Sequence, residues 1–263
     1  MNLLKITLHM LKKVNIIAVV SRKRSENLKP IVIQGAVEYE INLYLSLIKK
    51  VKFFNLMEYD FYQGEIDNVP IIICRTGVGL VNAAAATLIS IYEFKPTLII
   101  SQGIAGAHKS FLNIGDIIVG TQSTNINSYI TPPLKNGEGS HPEDWNIYKR
   151  VSPCYADSDL VKFYKNRLSA ARKQYEGIIG SGDIFNQEFD RIMWLSSRHS
   201  TMCEDMETFS VYSVCNRFNV PCIGIRIISN NALLNNVYNK NVAYSLQKEL
   251  LETLSVIHKG YLE

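Results

Sequence analysis

The 263 residues are enough to bury a full core, in one large α/β domain or two small ones. With 47% hydrophobic and 20% charged residues the composition is that of an ordinary globular protein, which argues against a disordered or fibrous chain. The net charge of +4 is mild, and no basic stripe with interleaved aromatics accompanies it, which argues against a nucleic-acid partner.

In chain order, the amino end pairs Lys12 and Lys13 with the apolar stretch VNIIAVV. That stretch is at the short limit for a secretion signal and no small-residue cleavage site follows. Residues 1–30 therefore read as an extension, disordered or strand-forming, with Arg22-Lys23-Arg24 as a solvated loop. No segment approaches the ~20 apolar residues of a membrane span. IVIQGA (31–36) predicts a short strand. Ile41, Tyr44, Leu45 and Ile48 then recur at helical spacing and predict a helix from Glu38 to Lys49. YDFYQGEI and PIIICRTG predict a hairpin around Asp67-Asn68.

LVNAAAATLISIY (80–92) predicts a helix with a small-residue face, PTLIISQG a covered strand, and GDIIVGTQSTNIN another strand. Residues 128–153, with four prolines and two glycines, predict a long loop of the kind that serves as a lid or a subunit contact. Beyond it we expect a helix (157–173), a strand (GIIGSGD), a helix (187–198) and a helix led by Met206-Glu207. The buried strand GIRIISN and a closing helix (240–261) complete the chain. The alternation predicts one α/β domain over 31–263: a three-layer α/β/α sandwich around a central mixed, largely parallel sheet.

Three glycine clusters follow apolar strands: TGVG (76–79), QGIAG (102–106) and GSGDIF (180–185). Each alone is turn chemistry, and none is a dinucleotide or phosphate-loop fingerprint. Together they suggest close-approach backbone around one small ligand at the carboxyl ends of parallel strands. Glu40, Asp183, Asp205, Glu207, Arg226 and Asn230 fall at the same ends. Any one of these charges alone reads as a cap or a surface residue, so their shared placement carries the inference. Five scattered cysteines without CxxC, and histidines without HExxH, predict free thiols in a reducing, cytoplasmic compartment and no metal or other cofactor.

The motifs Gly-Ala-x-x-x-Glu (35–40), Thr-Gly-Val-Gly, Gly-Ile-Ala-Gly, Gly-Ser-Gly-Asp-x-Phe, Asp-Met-Glu (205–207) and Arg-x-Ile-Ser-Asn (226–230) stand in one order along the chain. In that order the sequence resembles the purine nucleoside phosphorylase superfamily, and within it the 5'-methylthioadenosine/S-adenosylhomocysteine nucleosidases. The resemblance implies hydrolysis of an N-glycosidic bond in a small purine nucleoside, through an oxocarbenium-like transition state, by a homodimer. It implies that Glu40 activates water beside Arg226. Met206 and Glu207 would hold the ribose, Phe185 would pack on the purine, and the backbone of Asn186 would read the base edge. Ile104, Ala105, Gly106, Asp183, Asp205 and Ser229 complete the implied binding set, and the aromatics around Tyr129 and Trp145 would suit the subunit interface.

Two positions depart from the pattern. Asn230 stands where the nucleosidases carry an aspartic acid that protonates the base, and an amide donates hydrogen bonds but no proton. Three outcomes stay open: an altered base preference, a proton from Asp183 or water, or a weakened enzyme. Ser101-Gln102-Gly103-Ile104 lacks both the arginine and the hydroxyl residue that phosphorylases place there, and a buried phosphate dianion needs cationic partners. Water is thus preferred to phosphate as nucleophile. A phosphorylase, or a faded nucleoside-binding protein, remains the alternative.

Overall fold

The computed structural model describes residues 29–260 except 166 and 169–171, so the amino-terminal readings above lie outside the described residues. Strand β1 (Ile31–Gly35) runs into a 3-10 turn at Glu38–Glu40 and a short helix α1 (Asn42–Leu47). The antiparallel strands β2 (Lys49–Leu56), β3 (Tyr59–Ile66) and β4 (Val69–Arg75) follow. The expected helix thus stops at Leu47, and Lys49 begins a strand that the helical spacing had absorbed. The hairpin at Asp67-Asn68 is as expected, with both residues left-handed (φ 50° and 64°). A second such turn joins β2 to β3 through Met57 and Glu58 (φ 52° and 68°), residues that carry no turn signature.

Helix α2 (Leu80–Phe94), strands β5 (Leu98–Ala107) and β6 (Ile117–Asn125) come next. The expected long loop holds a small two-stranded pair, β7 (Tyr129–Ile130) with β8 (Asn146–Ile147), and then β9 (Cys154–Tyr155). After it come α3 (Ser158–Lys165), β10 (Gln174–Ser181), α4 (Phe189–His199), β11 (Thr201–Asp205) and α5 (Thr208–Phe218). Strand β12 (Cys222–Asn230), α6 (Val242–Leu251) and α7 (Leu254–Gly260) end the described chain. Three expectations change here. Helix α3 ends at Lys165, the closing helix is two helices, and a strand precedes α5, which starts one residue after Glu207.

The main sheet is mixed, in the order β11-β10-β6-β12-β5-β1-β4-β3-β2. Pairings β1–β4, β1–β5, β5–β12, β6–β10 and β10–β11 are parallel, and β12–β6 is antiparallel. The far edge curls back: β11 also pairs antiparallel with β5, through Cys203↔Ala107 and Glu204↔Gly106. Alternation along the strands makes the layers. Ile31, Ile33, Ile71, Ile73, Ile223 and Ile225 pack with Tyr44 of α1 and Leu246 and Leu250 of α6. Their neighbours Val32, Ile72 and Ile99 pack on the other face with Ala83 and Ala86 of α2 and Val211 and Cys215 of α5. Each fully buried isoleucine contributes about 1.5–3 kcal/mol. The sheet is therefore covered on both faces, and its strand ends are the remaining place for a site.

Candidate active site

A cavity of about 390 Å³ opens at the carboxyl ends of β1, β4, β5, β10, β11 and β12. That is the usual place for a ligand on an open α/β sheet, and the volume suits a small molecule. Of the residues singled out in the sequence, Glu40, Ile104, Ala105, Gly106, Phe185, Asp205, Met206, Glu207 and Ser229 line it. Arg226, Asp183, Asn186 and Asn230 do not line it but stand immediately behind or beside it. The glycine cluster QGIAG lies within β5 and not after it, and Arg226 sits in the middle of β12.

Glu40 is buried at the end of the turn after β1. Its Oε2 accepts from the backbone N–H of Ala36 (2.7 Å) and Val37 (3.3 Å), and Oε1 from that of Ile104 (2.9 Å). Only glycine fits at 103: a Cβ there would overlap Oε1 of Glu40, with its Cδ at 2.9 Å. Burial pushes the Glu40 carboxyl above its ordinary range, against the Ile104 N–H and the Arg226 charge, which pull it down. A carboxylate raised in this way is a stronger base than a free one, as a proton acceptor needs to be.

Arg226 is fully buried, and each of its nitrogens has a protein partner. Nε donates to Asp205 Oδ2 (2.7 Å), Nη1 to the carbonyls of Ser101 (2.8 Å) and Ile225 (3.1 Å), and Nη2 to Ser101 Oγ (3.0 Å). Asp205 also accepts from the hydroxyls of Ser181 and Thr208 and from the backbone N–H of Glu207 and Thr208 at the start of α5. Its oxygens thus hold β11, α5 and Arg226 together at the wall of the cavity, which Asp205 also lines.

Glu207 faces the cavity. Its Oε1 accepts from Gly79 N–H (3.0 Å) and Oε2 from Met206 N–H (3.3 Å). Burial first, and then the charge of Asp205, push its carboxyl up to about 8. Asp183 was a candidate proton donor. Its Oδ1 accepts from Leu80 N–H (2.8 Å) in the first turn of α2.

A second, much smaller space adjoins Glu40, Arg226, Ser101, Gly103, Thr76 and Glu207, with about 10 Å³ for the centre of a water molecule. That is room for about one water.

Several lining residues carried no signal in the sequence. Tyr39 and Tyr238 share a hydrogen bond between their hydroxyls (2.8 Å), and the Tyr238 ring meets Phe185 edge-on at 6.2 Å. Their positions lie 199 residues apart, so only the fold joins them. Glu204 also lines the cavity, from a strand whose acidic residues read as a helix start. Alternation within TMCED was the one available clue to it.

A mixed α/β sheet with buried carboxylates and backbone N–H groups converging on a nucleoside-sized cleft defines a class of small-molecule enzymes. Residues 30–253 match the family model described as the phosphorylase superfamily, and the chain belongs to that family. It is 31% identical over 227 residues to a 5'-methylthioadenosine/S-adenosylhomocysteine nucleosidase of Halalkalibacterium halodurans, covering 84% of this chain and 91% of that one. Among solved structures it is similar to a Helicobacter pylori nucleosidase mutant with 5'-methylthioadenosine in its active site. The TM-score is 0.66 at 27% identity, covering 89% of this chain and 96% of that one. It is also similar to the futalosine hydrolase of Helicobacter pylori, with TM-score 0.68 at 26% identity, covering 90% and 97%.

Proposed function

We propose that this chain is a purine nucleosidase, an N-glycosyl hydrolase acting on nucleosides of the 5'-methylthioadenosine/S-adenosylhomocysteine type. The observation that carries hydrolysis is the space of about 10 Å³ beside Glu40, which has room for one water molecule. Four of the five N–H groups of Arg226, the cation nearest to it, are taken by protein partners. In this reading Glu40 takes a proton from the water as its oxygen attacks C1', while the C1'–N9 bond breaks toward the base. Glu207 accepts hydrogen bonds from the ribose hydroxyls beside Met206, and the two carboxylates stabilise the positive charge that builds on the sugar. Phe185 packs on the base. Val37, Val78, Tyr39 and Tyr238 offer apolar surface for a thioether at the 5' position.

Incubation with methylthioadenosine, adenosine and inosine, with and without phosphate, tests this. Free base is expected at equal rates in both conditions. Release that depends on phosphate would make the chain a phosphorylase, and no release from any purine nucleoside would remove the hydrolase reading.

The same proposal places the activity in one domain over residues 31–263, in the cytoplasm, where the free cysteines suit a reducing compartment. It also makes the chain a homodimer. The proposed interface takes in the aromatics around Tyr129 and Trp145, where Tyr129 packs against Trp145 (5.9 Å), Trp194 (5.0 Å) and His199 (5.6 Å) and both residues stay partly exposed. Support for a partner surface comes also from α2, where Val81 and Tyr92 are 78% and 77% exposed.

A further inference from the structure

The helix expected from Glu38 to Lys49 is broken beside Glu40. The 3-10 turn Glu38–Glu40 gives way to Ile41, whose φ of −124° lies outside the helical range, and α1 starts afresh at Asn42. No proline or glycine stands in EYEINLY (38–44), so the cause of the break lies elsewhere in the fold.

Two buried side-chain amides from distant elements supply it. Tyr39 and Leu43 have the i, i+4 spacing of an α-helical hydrogen bond, and the Gln247 amide of α6 stands between them. Its Oε1 accepts from Leu43 N–H (3.0 Å), while Nε2 donates to the carbonyls of Tyr39 (2.9 Å) and Ala243 (3.1 Å). One N–H and two carbonyls as partners fix which end of that amide is which. The next carbonyl, that of Glu40 itself, accepts from Gln102 Nε2 of β5 (2.6 Å). A side chain inserted into the hydrogen-bond ladder in this way opens a helix.

The Glu40 carboxylate takes its direction from this stretch of main chain. Its Oε2 reaches back to the N–H groups of Ala36 and Val37 ahead of the turn, and its Oε1 reaches Ile104 N–H on β5. With the ladder closed, Leu43 N–H would bond directly to Tyr39 C=O, and Glu40 would be drawn round the helix axis and away from Ile104. Gln247 lines neither the cavity nor the water-sized space, so its effect on the reaction passes through the turn.

We propose that Gln247 and Gln102 are positioning residues for the base: by holding the chain open at Tyr39 and Glu40 they aim the Glu40 carboxylate at the attacking water. This rests on the reading of Glu40 as the base of a hydrolase. Amides suit the duty, because Gln247 donates and accepts at once and neither side chain adds a charge beside Glu40.

The test is Gln247→Leu. Leucine keeps the bulk and helix propensity of the position, and the freed Leu43 N–H and Tyr39 C=O have each other as partners, so the variant is expected to fold. Its kcat for base release from methylthioadenosine should fall by about 10–10²-fold, with KM little changed. In a Glu40→Gln background the same substitution should change kcat by less than about 3-fold, since a base already removed is no longer there to be misplaced. Unchanged kcat in the folded variant, or the same loss in both backgrounds, would overturn the proposal. The second result would make Gln247 a general support of the fold. Gln102→Met, which removes the donor to Glu40 C=O, is expected to show the same pattern and carries the test if Gln247→Leu does not fold.

Amide hydrogen exchange well below the melting temperature gives a reading that needs no substrate. Ile104 N–H should exchange faster in Gln247→Leu than in the wild type, while Ile225 and Ile227 in β12 keep their rates. Equal protection of Ile104 in the two proteins would overturn the proposal. Absence of cleavage by the wild type would count only against the hydrolase reading.

Discussion

Glu207→Gln is expected to lower kcat/KM for base release by about 10²–10³-fold, roughly 3–4 kcal/mol, while the fold persists. The carboxyl faces the cavity and is held by Gly79 and Met206 N–H groups, so its position is set before any ligand arrives. The amide keeps the shape and one acceptor but loses the charge opposite the developing oxocarbenium ion. Unchanged turnover in a folded variant would remove Glu207 from the ribose.

Its pH behaviour gives an independent check. Burial and Asp205 push the Glu207 carboxyl up to about 8, well above its unfolded value. The folded state thus binds this proton more tightly than the unfolded state, and its contribution to stability is present below about pH 4.5 and lost as pH rises toward 8. The melting temperature of the wild type should therefore fall relative to Glu207→Gln between pH 5 and 8. Because the ionised form is the one that serves the sugar, kcat/KM should climb more steeply over the same range in the wild type than in the variant, which keeps only Glu40 as a titrating group of the reaction. Parallel melting curves would show that the carboxyl is not raised.

Asn230→Asp is expected to raise the cleavage rate of 6-aminopurine nucleosides by about 10–10²-fold and to introduce a falling alkaline limb in the pH profile. The substitution puts a proton donor beside Gly106, in a place where partial desolvation favours the neutral acid. The competing view is that Asn230 merely ends β12, a duty that aspartate fills almost as well. Wild-type kinetics on methylthioadenosine, adenosine and inosine alike would decide for that view.

Much of the fold was legible in the sequence because the strands that build the sheet are apolar on both faces and the helices keep a clear period. Ile31–Gly35, Val69–Arg75 and Cys222–Asn230 read as strands for that reason. Strands β2 and β11 did not. KKVKFFNL is charged and turns at Met57-Glu58 without a turn residue, and TMCED carries two acids that normally avoid strands. Both are strands because a neighbour in the sheet supplies the pairing, which outweighs local propensity.

The site divides in the same way. The order of motifs determined by itself which carboxylates and glycines would meet, since each sits at the end of an element whose direction the pattern sets. What those groups do once they meet was decided by tertiary structure. Asp205 lines the cavity and Arg226 the water-sized space, and both are held in place by locking onto each other and onto Ser101, Ser181 and Thr208. Asp183 caps α2, while Glu204, unmarked in the sequence, faces the cavity beside Asn230. A side chain's residue type sets the hydrogen bonds it is able to make. Which of them remain for a ligand depends on partners contributed by strands far away in the chain, and only the packed sheet brings those together.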